Sequence, residues 1–69
     1  MFAVGDRIFW IKFECIESNI IDIIHADSEE YETQSGDFVP FDSSYANERD
    51  ALNGMSYFIF SVRVHWLLK

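Results

Sequence analysis

The chain predicts a small α+β domain: a mostly antiparallel sheet of three to four strands, in the order β-β-(β)-α-β, with one short helix packed on one face. Three observations predict it. Apolar residues recur at every second position near both ends of the chain, the pattern of strands with one buried face. Between those ends, Pro40 followed by Asp42, Ser43 and Ser44 marks a helix start, and Asn53 with Gly54 marks its stop. Finally, 69 residues that are 49% hydrophobic and 17% aromatic suffice for one core but not for two, so residues 1–69 read as one domain.

Taken in order, Gly5 and Asp6 read as a turn into a first strand over residues 7–16, where Phe9, Ile11, Phe13 and Cys15 alternate with Trp10, Lys12 and Glu14. Ser18 and Asn19 then suit a tight connection into Ile20, Ile21, Asp22, Ile23 and Ile24. Their β-branched side chains favour a strand paired as a hairpin with the first. Ile16, Ile20 and Ile23 also fit helical spacing, but isoleucine runs are poor helix formers. Tyr31 to Gln34 read as a short edge strand before a turn at Ser35, Gly36 and Asp37. Phe38 to Phe41 form an extended segment, constrained by Pro40, that leads into a weakly amphipathic helix over about residues 43–53. The last element is a strand over residues 56–68, with Phe58, Phe60, Val62, Val64, Trp66 and Leu68 on one face and Ser61, Arg63 and His65 on the other. It is expected beside the first strand.

Charge divides the chain. Residues 14–50 hold eleven carboxylates against Arg49 alone, a net of −10, whereas both apolar ends are slightly positive. Such a field repels nucleic acid and attracts basic protein surfaces, so a direct nucleic-acid partner is not expected. Cys15 is the only cysteine, so no disulfide forms within the chain. With no export signal and no run of about 18 apolar residues, the expectation is a soluble cytoplasmic protein with no membrane partner.

Chemistry finds little support in the residues. His25 lies near Asp22, Asp27, Glu29 and Glu30, a set able to hold a divalent cation, but none of the spacings matches a ligand motif such as an EF-hand loop. A solvated acidic turn is the simpler reading, and no metal or cofactor is expected. Cys15 continues the alternation of Phe9, Ile11 and Phe13, which makes it a buried core thiol rather than a nucleophile. No serine sits in a nucleophile elbow, and Gly5, Gly36 and Gly54 are isolated rather than part of a phosphate-cradling loop. Catalytic residues are accordingly not assigned, and the chain is not read as an enzyme.

If Phe9, Ile11 and Phe13 face the core, Ile8 and Trp10 point the other way, together with either Ile20 and Ile24 or Ile21 and Ile23. Ile8, Trp10, Ile20 and Ile24 are then expected at an oligomer interface, as in a homodimer. The competing reading is that the strands twist and the segment 38–41 folds over that face.

In size, acidity and lack of catalytic signature the chain is similar to the small acidic proteins that bacteriophages use to block host nucleases, CRISPR complexes or polymerases. The likeness covers the whole chain and carries no individual residue with it. It implies a non-enzymatic inhibitor or nucleic-acid mimic, such as an anti-CRISPR, acting in the host cytoplasm. On that reading, carboxylates occupy a basic, nucleic-acid-handling surface of a protein partner, with Asp27, Glu29, Glu30, Glu32 and Asp37 as contacts and Tyr31 as aromatic anchor. The alternative is a self-associating structural subunit whose acidic surface keeps it soluble, with a small metal-dependent hydrolase as the residual case.

Overall fold

The computed structural model describes residues 1–55. They form one antiparallel sheet of four strands in sequence order, β1 (Arg7–Lys12), β2 (Cys15–His25), β3 (Glu30–Thr33) and β4 (Phe38–Pro40). A 3-10 turn (Phe41–Ser43) follows β4, and residues 48–55 are helical and are called α1. The α+β class is as expected. The order differs, because the segment expected only as extended chain is a strand and four strands precede the helix. The strand expected over residues 56–68, and its place beside β1, lie outside the described residues.

The first hairpin turns earlier than its polar residues suggest. Lys12 pairs with Cys15, so Phe13 and Glu14 alone make the turn, and both carry left-handed φ values of 50° and 65°. Two central residues at positive φ define the type I′ turn, whose twist matches the flanking strands. Ser18 and Asn19, expected as the connection, lie inside β2 opposite Phe9 and Ile8. Asn-Gly or Asp-Gly would have announced the turn, whereas Phe-Glu does not. The Arg7 guanidinium donates to Ser18 Oγ at 2.9 Å across this pairing.

This register inverts the expected faces. Ile8 and Trp10 are buried, Trp10 at 6% exposure, while Phe13 is 89% exposed and Cys15 is also exposed. Cys15 is therefore not a core thiol, and the face of Phe9, Ile11 and Phe13 is not the main core face.

β2 changes phase along its length. Ile21 pairs with Thr33 but Ile23 pairs with Glu32, so an extra residue bulges at Asp22. One inserted residue exchanges the faces beyond it, so Ile21 and Ile24, three apart, both turn inward. A strict alternation over Ile20 to Ile24 misses this.

Bulge and bend curl the sheet towards closure. From β4 the chain passes through the 3-10 turn to Tyr45, whose N–H donates to Phe9 O at 2.7 Å, while Phe9 N–H donates to Tyr45 O at 2.9 Å. The outer edge of β1 is thereby met by the segment that leaves β4. Inside lie Ile8, Trp10, Ile21, Tyr31 and Val39, with Phe2, Ile24 and Phe41 packed around them. The segment 38–41 thus closes over Ile8 and Trp10, which is the second of the two readings of that face. Pro40 falls in β4, a short strand where a missing N–H is tolerated.

The helix begins later than expected. Its N-terminal cap is Asn47, whose Oδ1 accepts from Asp50 N–H at 2.8 Å, while its Nδ2 donates to the Asp50 carboxylate at 3.2 Å. Asp42 and Ser43 belong instead to the 3-10 turn, and Ser44 caps its C-terminal end, where its Oγ donates to Phe41 O at 2.7 Å. Asn53 and Gly54 do not stop the helix, since residues 53–55 are still helical. Gly54 has a steric reason to be there: a β-carbon on it would lie 2.8 Å from Tyr45 Cζ and would collide with the phenol oxygen. Among the described residues no helix is long and apolar enough to cross a membrane.

The cap gives a direct test. Asn47→Ala is expected to cost about 1 kcal/mol, which in a domain of this size lowers Tm by roughly 4–8 °C. Asn47→Ser keeps an acceptor and should recover most of that loss. A thermal melt followed by circular dichroism measures both.

Candidate functional site

The acidic residues gather around the second hairpin. β3 has the sequence Glu-Tyr-Glu-Thr, and its pairing with both neighbours sends Tyr31 and Thr33 into the core and Glu30 and Glu32 to the outer surface. Residues directly opposite in an antiparallel ladder share a face. Ile23, Glu32 and Phe38 therefore form one outward row, and His25, Glu30 and Pro40 form the next.

The turn between β2 and β3 adds two carboxylates. Asp27 and Glu29 are exposed, and Glu29 sits at a φ of 55°. Its N–H donates to Ala26 O at 3.3 Å, and its carbonyl accepts from Phe41 N–H at 2.9 Å. The tip is therefore tied at both of its backbone groups.

Within the outer rows, Glu32 Oε1 and His25 Nε2 are 2.9 Å apart. The His25 ring stacks obliquely on Phe38, with centroids 5.6 Å apart. Phe38 is nonetheless 57% exposed, and Ile23 is exposed as well. The outer face of the second hairpin thus combines carboxylates with two accessible apolar side chains. Among the described residues, no lysine or arginine pairs with Asp27, Glu29, Glu30 or Glu32.

Two expected members of the site are elsewhere. Tyr31 is 1% exposed, with its ring 4.5 Å from that of Phe41 and 5.9 Å from that of Phe2. Its hydroxyl accepts from Phe2 N–H at 3.1 Å. Tyr31 is a core residue and does not serve as a surface anchor. Period two explains the error, because a residue between two outward glutamates must point inward.

Asp37 lies in the β3–β4 turn, at the opposite end of β3 from Asp27 and Glu29. Its carboxylate accepts from Ser35 Oγ at 2.7 Å and from the Lys12 ammonium at 3.2 Å. The Ser35 hydroxyl first, and then Lys12, hold its pKa below the usual aspartate value. Gly36, at a φ of 86°, makes the turn that delivers it. Asp37 is thus already matched to a cation and stands apart from the acidic hairpin.

The four residues expected at an oligomer interface do not form one surface. Ile8 and Trp10 are buried within the chain's own core, and Ile24 packs against the same cluster. Ile20 is half-buried and pairs with Arg7 on the other face. Among the described residues the exposed large apolar side chains are Ile23, Phe38, Phe13, Met1, Val4 and Leu52, of which only Ile23 was expected on the outer face, in the alternative pair with Ile21. The alternation Phe38, Val39, Pro40 carried a signal for Phe38, since an inward Val39 requires an outward Phe38.

No known protein family, curated protein or solved structure matches the chain.

Proposed function

We propose that the protein is a small acidic, non-enzymatic binding protein that occupies a basic, nucleic-acid-handling surface of a protein partner in a reducing cytoplasm. The observation that carries this reading is the outer face of the second hairpin. Glu30 and Glu32 alternate outward from β3, Asp27 and Glu29 extend the charge into the turn, and Ile23 and Phe38 flank it. Carboxylates of this kind supply on-rate and selectivity towards a basic groove. Affinity at protein interfaces comes largely from a few apolar or aromatic anchors. Phe38 takes the anchoring role that the buried Tyr31 does not fill. The lone cysteine fits a compartment in which disulfides are not used.

The test begins with capture of the partner from source cells and its identification. The partner is then titrated with the parent protein and with Glu29→Gln/Glu30→Gln/Glu32→Gln, a variant that keeps shape and removes three charges. The triple variant is expected to fold normally and to bind at least about ten-fold more weakly, a loss of about 1.4 kcal/mol. Parent affinity should also fall as salt rises, because the Debye length shrinks from about 10 Å at 0.1 M to about 3 Å at 1 M. Affinity that ignores both the substitutions and the salt would reject the proposal and favour a structural role for the acidic surface.

A further inference from the structure

At the other end of β2 from the acidic hairpin, a cavity of about 640 Å³ opens between the β1–β2 turn and the segment that joins the 3-10 turn to α1. It is lined by Ile11, Phe13, Glu14, Asp42, Ser43, Tyr45 and Gly54. The size is that of a ligand pocket, and the lining combines aromatic rings with carboxylates. We infer that this cavity receives an arginine side chain of a protein partner.

Each part of the lining argues for that occupant. Glu14 and Asp42 are both exposed and supply two carboxylates, which favours a cation over a neutral or anionic group. Phe13 and Tyr45 supply aromatic rings, on which a guanidinium stacks well, and Ile11 gives apolar surface to its methylene stem. A guanidinium also presents a planar fork of donors to carboxylates, which a lysine ammonium lacks. An arginine therefore uses more of this lining than a lysine would.

Two local features hold the cavity in this form. Phe13 and Glu14 occupy the left-handed region, where side chains other than glycine and asparagine are rare, and that conformation presents Phe13 almost wholly to solvent at the rim. The absence of a side chain at Gly54 leaves the space that the Tyr45 ring occupies.

The inference rests on the reading of a basic protein partner, but its test needs no partner. A uniformly 15N-labelled sample of the full chain is titrated with acetyl-Gly-Arg-Gly-amide and with the matching citrulline peptide, which has the same shape and no charge. The arginyl peptide is expected to shift the amides of Ile11, Phe13, Glu14, Tyr45 and Gly54 along one saturating curve. The citrulline peptide should bind at least about ten-fold more weakly, as loss of charge-assisted hydrogen bonds requires.

Glu14→Gln/Asp42→Asn should abolish the saturating response while leaving the other amides in place. Gly54→Ala, which keeps every charge but drives Tyr45 from its position, should weaken the arginyl peptide as well. Equal binding of the two peptides would overturn the inference, as would shifts centred on Glu29 to Glu32, the absence of saturable shifts, or parent-like affinity in both variants. Because the mapped residues lie away from the acidic hairpin, the cavity and the function proposed above can fail independently.

Discussion

Trp10→Ala is expected to leave the protein largely unfolded or close to it at room temperature. Truncating a buried aromatic costs about 3–5 kcal/mol, and small domains have only about 5 kcal/mol or slightly more to lose. Trp10 is buried on β1 among Ile8, Ile21, Tyr31 and Val39, so the void would open at the centre of the curled sheet. Urea denaturation followed by circular dichroism measures the loss. Phe13→Ala, three residues along at the exposed hairpin tip, serves as the control and should change stability by no more than about 0.5 kcal/mol. If Trp10→Ala melted within a few degrees of the parent and altered only sedimentation, Trp10 would belong to an interface between chains and not to the core.

A graded loss is expected at Tyr31. Tyr31→Phe keeps the ring between Phe2 and Phe41 and removes only the acceptor for Phe2 N–H. That change should cost about 0.5–1.5 kcal/mol, the usual net contribution of one hydrogen bond. Tyr31→Ala also removes the ring from its contacts and should cost about 3–5 kcal/mol, by the same cavity mechanism as at Trp10. Denaturant midpoints with unchanged slopes would show that the native fold is retained in each case. If Tyr31→Ala kept parental stability and lost only partner binding, the ring would be a surface anchor after all.

Much of the candidate site was legible in the residues. The clustering of Asp27, Glu29, Glu30 and Glu32 follows from their proximity in sequence and from a turn that Ala26 to Glu29 closes. The orientation of Glu30 and Glu32 follows from the strand period once β3 is accepted as a strand. Asp37 was grouped with them on nearness in sequence alone. The β3–β4 turn carries it instead to Lys12, which lies on another strand and is invisible to any local reading. Phe38 became a candidate contact only when its ladder partners placed Val39 inside.

The amino-acid sequence by itself determined the α+β class, the adjacency of the first two strands, a strand at Tyr31 followed by the glycine turn at Gly36, and the acidic character of the middle of the chain. These depend on side-chain period, turn chemistry and charge, all of which act over a few residues. Only the tertiary structure decided which face of β1 is the core. Period two establishes that Ile8 and Trp10 oppose Phe9 and Ile11, but it is indifferent to which set is covered. Val39 and Phe41 made that choice by closing over Ile8 and Trp10. The turn at Phe13 and Glu14 and the bulge at Asp22 were equally hidden, because each reconciles strand twist and register between elements and neither carries the glycine or asparagine that would mark it.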